Sequence, residues 1–98
     1  MRISRHPNKA AIMEDAFAWI LGYLSVKPAD PIKAVRSSYN YIRWCLLHAG
    51  VSFSDDEVKD FIYQRSSSMF SRYGEQKTLC AVHALKEGML PEAEEEEE

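Results

Sequence analysis

The chain has 98 residues, 46% of them hydrophobic and 28% charged, with a net charge of −3. That suffices for one domain burying roughly 65% of its unfolded surface and excludes disorder of the whole chain. No run of about 18 apolar residues is present, so no span of a bilayer is expected. The basic residues near the start lack the apolar stretch of a secretory signal. Two cysteines are too few for a disulfide framework, so a reducing, cytoplasmic setting is expected.

The charge is unevenly placed. Residues 1–53 carry seven cations and three acids, residues 54–90 five and six, and residues 91–98 six glutamates. Consecutive glutamates repel and bury nothing, so 91–98 is expected to be a disordered tail that aids solubility, or a weak lid over the basic half. Residues 1–90 are expected to form one domain.

Asn8 is placed to cap a first helix. Ile12, Ala16, Trp19 and Tyr23 recur at helical spacing beside a second line, Met13, Phe17, Ile20 and Leu24, giving a wide apolar face. The opposite line, Ala11, Asp15, Ala18, Gly22 and Ser25, is small enough for another backbone to approach, which suits a subunit contact. Lys27-Pro28 ends the helix.

Asp30-Pro31 starts the second, with aspartate as cap and proline in the first turn. Ile32, Val35, Tyr39, Ile42, Leu46 and Ala49 make its main stripe, and Tyr41, Trp44, Cys45 and His48 a second apolar line. Lys33, Arg36, Asn40 and Arg43 align as its polar face. Gly50 stops it.

Ser54 through Glu57 reads as a capping box, with Phe53 stapled onto Val58. Val58, Phe61, Ile62 and Met69 face inward, and Ser66-Ser67-Ser68 predicts a kink or break. Arg65 falls on the buried line and needs a carboxylate there. After Gly74 a last helix turns Leu79, Val82 and Leu85 inward, and Gly88 caps it with Met89 as the hydrophobic contact. The expected fold is all-α, a compact bundle of about four helices.

Two spacings bear on chemistry. Cys45 and His48, and Cys80 and His83, each sit three apart, so two packed helices could offer two sulfurs and two nitrogens to zinc. Core packing explains buried cysteines more simply, and no metal or cofactor is expected. The Cys–His pairs could also activate a thiol, but no acid orients either imidazole and no phosphate loop or paired-carboxylate pattern occurs. Catalysis is not expected.

Ala49-Gly50-Val51-Ser52 resembles the turn of a helix-turn-helix. The following helix would then present Asp55, Asp56 and Glu57 to phosphates, which opposes binding. A plain helical hairpin is preferred. Lys33, Arg36, Asn40 and Arg43, with Tyr41 nearby and Arg2, Arg5 and Lys9 from the N-terminal arm, form the better nucleic-acid candidate, and the same face suits an acidic protein surface. Arginine with Tyr and Trp is the composition of interface hot spots. Tyr41, Tyr63 and Phe70 are the aromatic residues expected at the rim.

The functional expectation is a small intracellular protein-interaction module: an adaptor, an assembly chaperone or an inhibitor, a form that a virus- or mobile-element-encoded protein also takes. It would act sterically through Lys33, Arg36, Asn40, Arg43 and Tyr41 on another protein, with a homodimer compatible. The alternative is a small helical nucleic-acid-binding regulator.

Overall fold

A computed structural model describes residues 8–90. The tail 91–98 and the cations Arg2 and Arg5 lie outside the described residues. Among the described residues five α-helices follow one another: α1 (Lys9–Leu24), α2 (Pro31–His48), α3 (Asp55–Gln64), α4 (Phe70–Tyr73) and α5 (Glu75–Lys86), with a 3₁₀ turn over Ser66–Met69. No strand occurs among the described residues, and none of their helices is long and apolar enough to cross a membrane.

The helix starts follow their cap chemistry. Asn8 accepts from the Ala11 amide at 3.2 Å, and Asp30 accepts from Ile32 and Lys33. At α3 the capping box is complete: Ser54 Oγ accepts from the Glu57 amide, and Glu57 accepts the Ser54 N–H at 2.8 Å. At the end of α2, Gly50 takes φ +73°, a left-handed turn that glycine adopts without a Cβ penalty. The Val51 amide then reaches the Leu46 carbonyl and Gly50 the Leu47 carbonyl, which satisfies two terminal acceptors. The serine triplet breaks the third helical pattern as expected, and the chain tightens into the 3₁₀ turn before α4.

Helix α2 is the hub, packing on α1, α3 and α5. Its Val35, Ile42 and Leu46 are fully buried, as are Val58 and Ile62 of α3 and Val82 of α5. Phe17 of α1 meets Phe61 of α3 edge to face, with centroids 5.7 Å apart. This is the favoured geometry for two aromatic quadrupoles. The core also holds two hydroxyls, Ser38 and Thr78, neither with a hydrogen-bond partner.

The apolar faces are narrower than the sequence suggested. In α1 only the Met13, Phe17, Ile20 and Leu24 line is buried with Ala16; Ile12 is half-buried, and Trp19 and Tyr23 are exposed. One apolar line fills the groove against α2, so a second line has nothing left to cover. Ile32, Trp44 and His48 of α2 are exposed too, as is Ala49 just beyond it. In α5, Thr78 and Ala81 are buried beside Val82 and Leu85, while Leu79 is only half-buried. Met89 is exposed, and Leu90 makes the contact after Gly88 instead.

Candidate interaction surface

The aromatic residues left outside the core are stacked on one another. Trp19 and Tyr23, one turn apart on α1, lie with centroids 5.6 Å apart and planes within 6°. Trp19 continues across the helix boundary onto Tyr41 of α2 at 5.1 Å. Tyr41 stacks on Trp44 at 6.0 Å, and Trp44 on the His48 ring at 3.9 Å. Five rings thus form a ladder over two helices. Lys27 closes one end, its ammonium 4.9 Å from the Tyr23 centroid.

The spacing explains the ladder. Side chains three or four apart on a helix are neighbours, which covers 19 and 23, 41 and 44, and 44 and 48. Packing of α1 on α2 joins the two sets. His48 is further held by Nδ1, 3.1 Å from the Trp44 carbonyl, where the Nδ1–H tautomer donates. Tyr41 lies half-buried beside Cys45, whose thiol raises the Tyr41 pKa by hydrogen bonding, with burial adding to it. Trp19 is 56% exposed, Trp44 52% and Tyr23 47%, so these rings are ordered by each other while facing water.

The basic face is divided by the fold. At 100° per residue, Lys33, Asn40, Trp44 and Leu47 share the outward sector of α2, opposite buried Val35, Ile42 and Leu46. Leu47 is 61% exposed. Arg36 and Arg43 fall on one flank and Tyr41 on the other. Arg43 Nε lies 3.2 Å from Asp55 of α3, and its guanidinium covers the Tyr39 ring. Burial, then the Asp55 charge, raises the Tyr39 pKa. Arg43 therefore fastens α2 to α3, and Arg36 is half-buried and has an interaction of its own. Lys9, expected to join the basic surface, is bonded to Glu57 at 2.8 Å. Lys33 and Asn40 remain exposed.

That pairing also accounts for two of the three acids at the start of α3. In a helix-turn-helix they would meet phosphate; here Asp55 holds Arg43 and Glu57 holds Lys9 and its own cap. Lys9, then the Ser54 amide, lowers the Glu57 pKa. Among the described residues ten cations face nine acids.

The cysteine–histidine pairs are not brought together. Cys45 is half-buried in a hollow with Ile12, Asp15, Ala16, Trp19 and Tyr41, while His48 is spent on the ladder. Cys80 is exposed, beside Pro31 and Ile32 at the start of α2. His83 meets the edge of Tyr63. No group of three or more His, Cys, Asp or Glu residues is placed to share an ion among the described residues. Burial in the core, the simpler expectation, fails for Cys80 as well.

No protein-family model matches this chain, and neither does any curated protein or solved structure.

The surface must therefore be read from its own chemistry. Of the aromatic residues expected at the rim, Tyr63 is exposed, but Tyr41 and Phe70 are half-buried. Trp19, Trp44 and Leu47 supply more accessible apolar surface. Their signal in the sequence is a surplus: α1 and α2 each carry two apolar lines, more than the neighbouring helices cover.

Proposed function

We propose that the chain is a small protein-binding module, an adaptor or inhibitor that acts sterically through the outward face of α2. Trp44 and Leu47 are its apolar centre, Tyr41 its flank, and Lys33 and Asn40 its polar rim. The observation that carries this reading is the ladder of ring contacts, four of its five rings exposed. Apolar side chains scattered singly over a surface need no explanation, but a contiguous row, already ordered, has the composition of a binding hot spot. Stacking fixes the rings before contact, which reduces the side-chain entropy lost on binding. Lys33 and Asn40 give the rim polarity without a second desolvated charge. Arg36 and Arg43 act behind this surface, Arg43 by holding α2 against α3. The reading places the module in a reducing, cytoplasmic compartment, where Cys45 and Cys80 stay as thiols.

A nucleic-acid regulator has weaker support. Aromatic stacks do receive bases, but affinity for phosphates rests on available cations, and Lys9 and Arg43 are committed to Glu57 and Asp55. The deciding experiment is capture of partners from lysate with and without nuclease, using the wild type, Trp44→Ala and Leu47→Asp. One protein retained after nuclease and lost from both variants is expected. Retention by both variants overturns the assignment of this face, and loss of all capture after nuclease favours the regulator.

A further inference from the structure

Helix α1 exposes a second face, which adjoins the α2 surface where Trp19 stacks on Tyr41. At 100° per residue Ala11, Asp15, Ala18 and Gly22 share one outward sector, and Trp19 and Tyr23 the next. All six are exposed. The stacked rings of Trp19 and Tyr23 make a ridge, and the small residues beside them a furrow. Gly22 is the member with no use in the monomer. Its φ is not positive, and a Cβ there would meet nothing within 4 Å. Neither turn geometry nor local packing accounts for a residue that costs a helix about 1 kcal/mol relative to alanine.

The ridge ends in opposite charges. Lys27 sits over Tyr23 at one end. Asp15 lines the hollow beside Trp19 at the other. Neither has an ion-pair partner among the described residues.

We infer that this face pairs with the same face of a second copy of the chain, α1 running antiparallel to α1 about a two-fold axis. An isologous contact must be self-complementary, and this one is so in shape and in charge. The register that seats Trp19 on Gly22 of the second copy sets Asp15 toward the end of that copy's α1, where Lys27 follows Leu24 in the turn. Symmetry repeats both contacts. A parallel pairing would set like charges against each other. An acidic or a basic peptide would match one end of the ridge and be repelled at the other. A contact built on one helix face lies at the low end of interface sizes, so the dimer is reversible and concentration-dependent. Lys33, Asn40, Trp44 and Leu47 remain outside the α1–α1 contact for a different partner.

Sedimentation equilibrium of the full chain over micromolar to submillimolar concentrations tests this. The wild type is expected to pass from monomer to dimer mass. Gly22→Leu, which has open space and a better helix former, should keep its circular dichroism and weaken association at least about tenfold, because the partner's indole then meets a side chain. Asp15→Lys and Lys27→Asp should each weaken it, and the double exchange should restore it. A wild type that stays monomeric, or a dimer indifferent to Gly22→Leu, overturns the inference. Capture of the other partner by monomeric Gly22→Leu is read separately, so loss of the dimer and loss of the α2 surface cannot be confused.

Discussion

Arg65, at the end of α3, donates from Nε to the Glu14 carboxylate of α1 at 2.8 Å and lies over the Phe61 ring, 4.5 Å from its centroid. The need for a carboxylate was legible in the sequence, but the side chain stays partly in water at the α1–α3 seam and not on a buried line. The guanidinium thus bridges two helices whose rings, Phe17 and Phe61, already meet below it.

This pair makes stability depend on acid. Bonding to Arg65 lowers the Glu14 pKa below its ordinary 4.5, and bonding to Lys9 does the same for Glu57. A carboxyl whose folded pKa lies below its unfolded value adds stability above the unfolded value and loses it as pH falls through the folded one. Urea midpoints should therefore hold steady near neutrality and decline below about pH 4.5. Glu14→Gln with Glu57→Gln should lower the neutral midpoint slightly and flatten the acid decline. An unchanged slope would show that neither bridge persists in solution. Both pairs are exposed, so the effect is small and screened by salt.

The orphaned hydroxyls predict gains. Ser38 and Thr78 are fully buried without hydrogen-bond partners. Leaving such a group unsatisfied costs about 1–3 kcal/mol relative to an apolar isostere. Ser38→Ala and Thr78→Val should each raise unfolding free energy by roughly 0.5–1 kcal/mol after small cavity and propensity terms. Ile42→Ala, at the centre of the same core, should lose about 2–5 kcal/mol. Chemical denaturation of the three variants checks both signs, and a destabilised Thr78→Val would reveal a hydrogen bond to water or backbone.

The helices and their boundaries were largely legible because their signals are local: Asn8, Asp30 and Ser54 cap as expected, and Gly50 ends α2. Which apolar line is buried was not, because that depends on how much neighbour each helix has. Trp19 and Tyr23 share their spacing with a core line, yet Met13, Phe17, Ile20 and Leu24, with Ala16, are the residues that α1 buries. The predicted basic face was sound as a helical sector, but the ion pairs that remove Arg43 and Lys9 from it join residues far apart in sequence. Thr78 and Ala81 took the inner positions beside Val82, and Leu79 is half-buried beside them.

The thiols should differ in reactivity. Cys80 is exposed and Cys45 half-buried against Tyr41. Under limiting iodoacetamide, Cys80 should be alkylated first, and mass mapping should find Cys45 protected until denaturant is added. Equal rates in the native state would mean that the α1–α2 seam opens freely. Zinc should leave both rates and the melting temperature unchanged, since the two thiols are not gathered with their histidines.

The two tryptophans offer the most direct view of the ladder. Both are more than half exposed, so the native emission spectrum should lie close to that of the unfolded chain even while circular dichroism reports full helicity. Acrylamide should quench both efficiently. Trp44→Phe and Trp19→Phe then separate the surfaces. With only Trp19 present, emission should shift to the blue as concentration carries the chain into its dimer. With only Trp44 present, it should respond to the captured partner and not to concentration. A strongly blue-shifted native spectrum at low concentration would place the rings in the core and remove the basis for both surfaces. A concentration response from Trp44 alone would instead move the dimer contact from α1 to α2, where it would compete with partner binding.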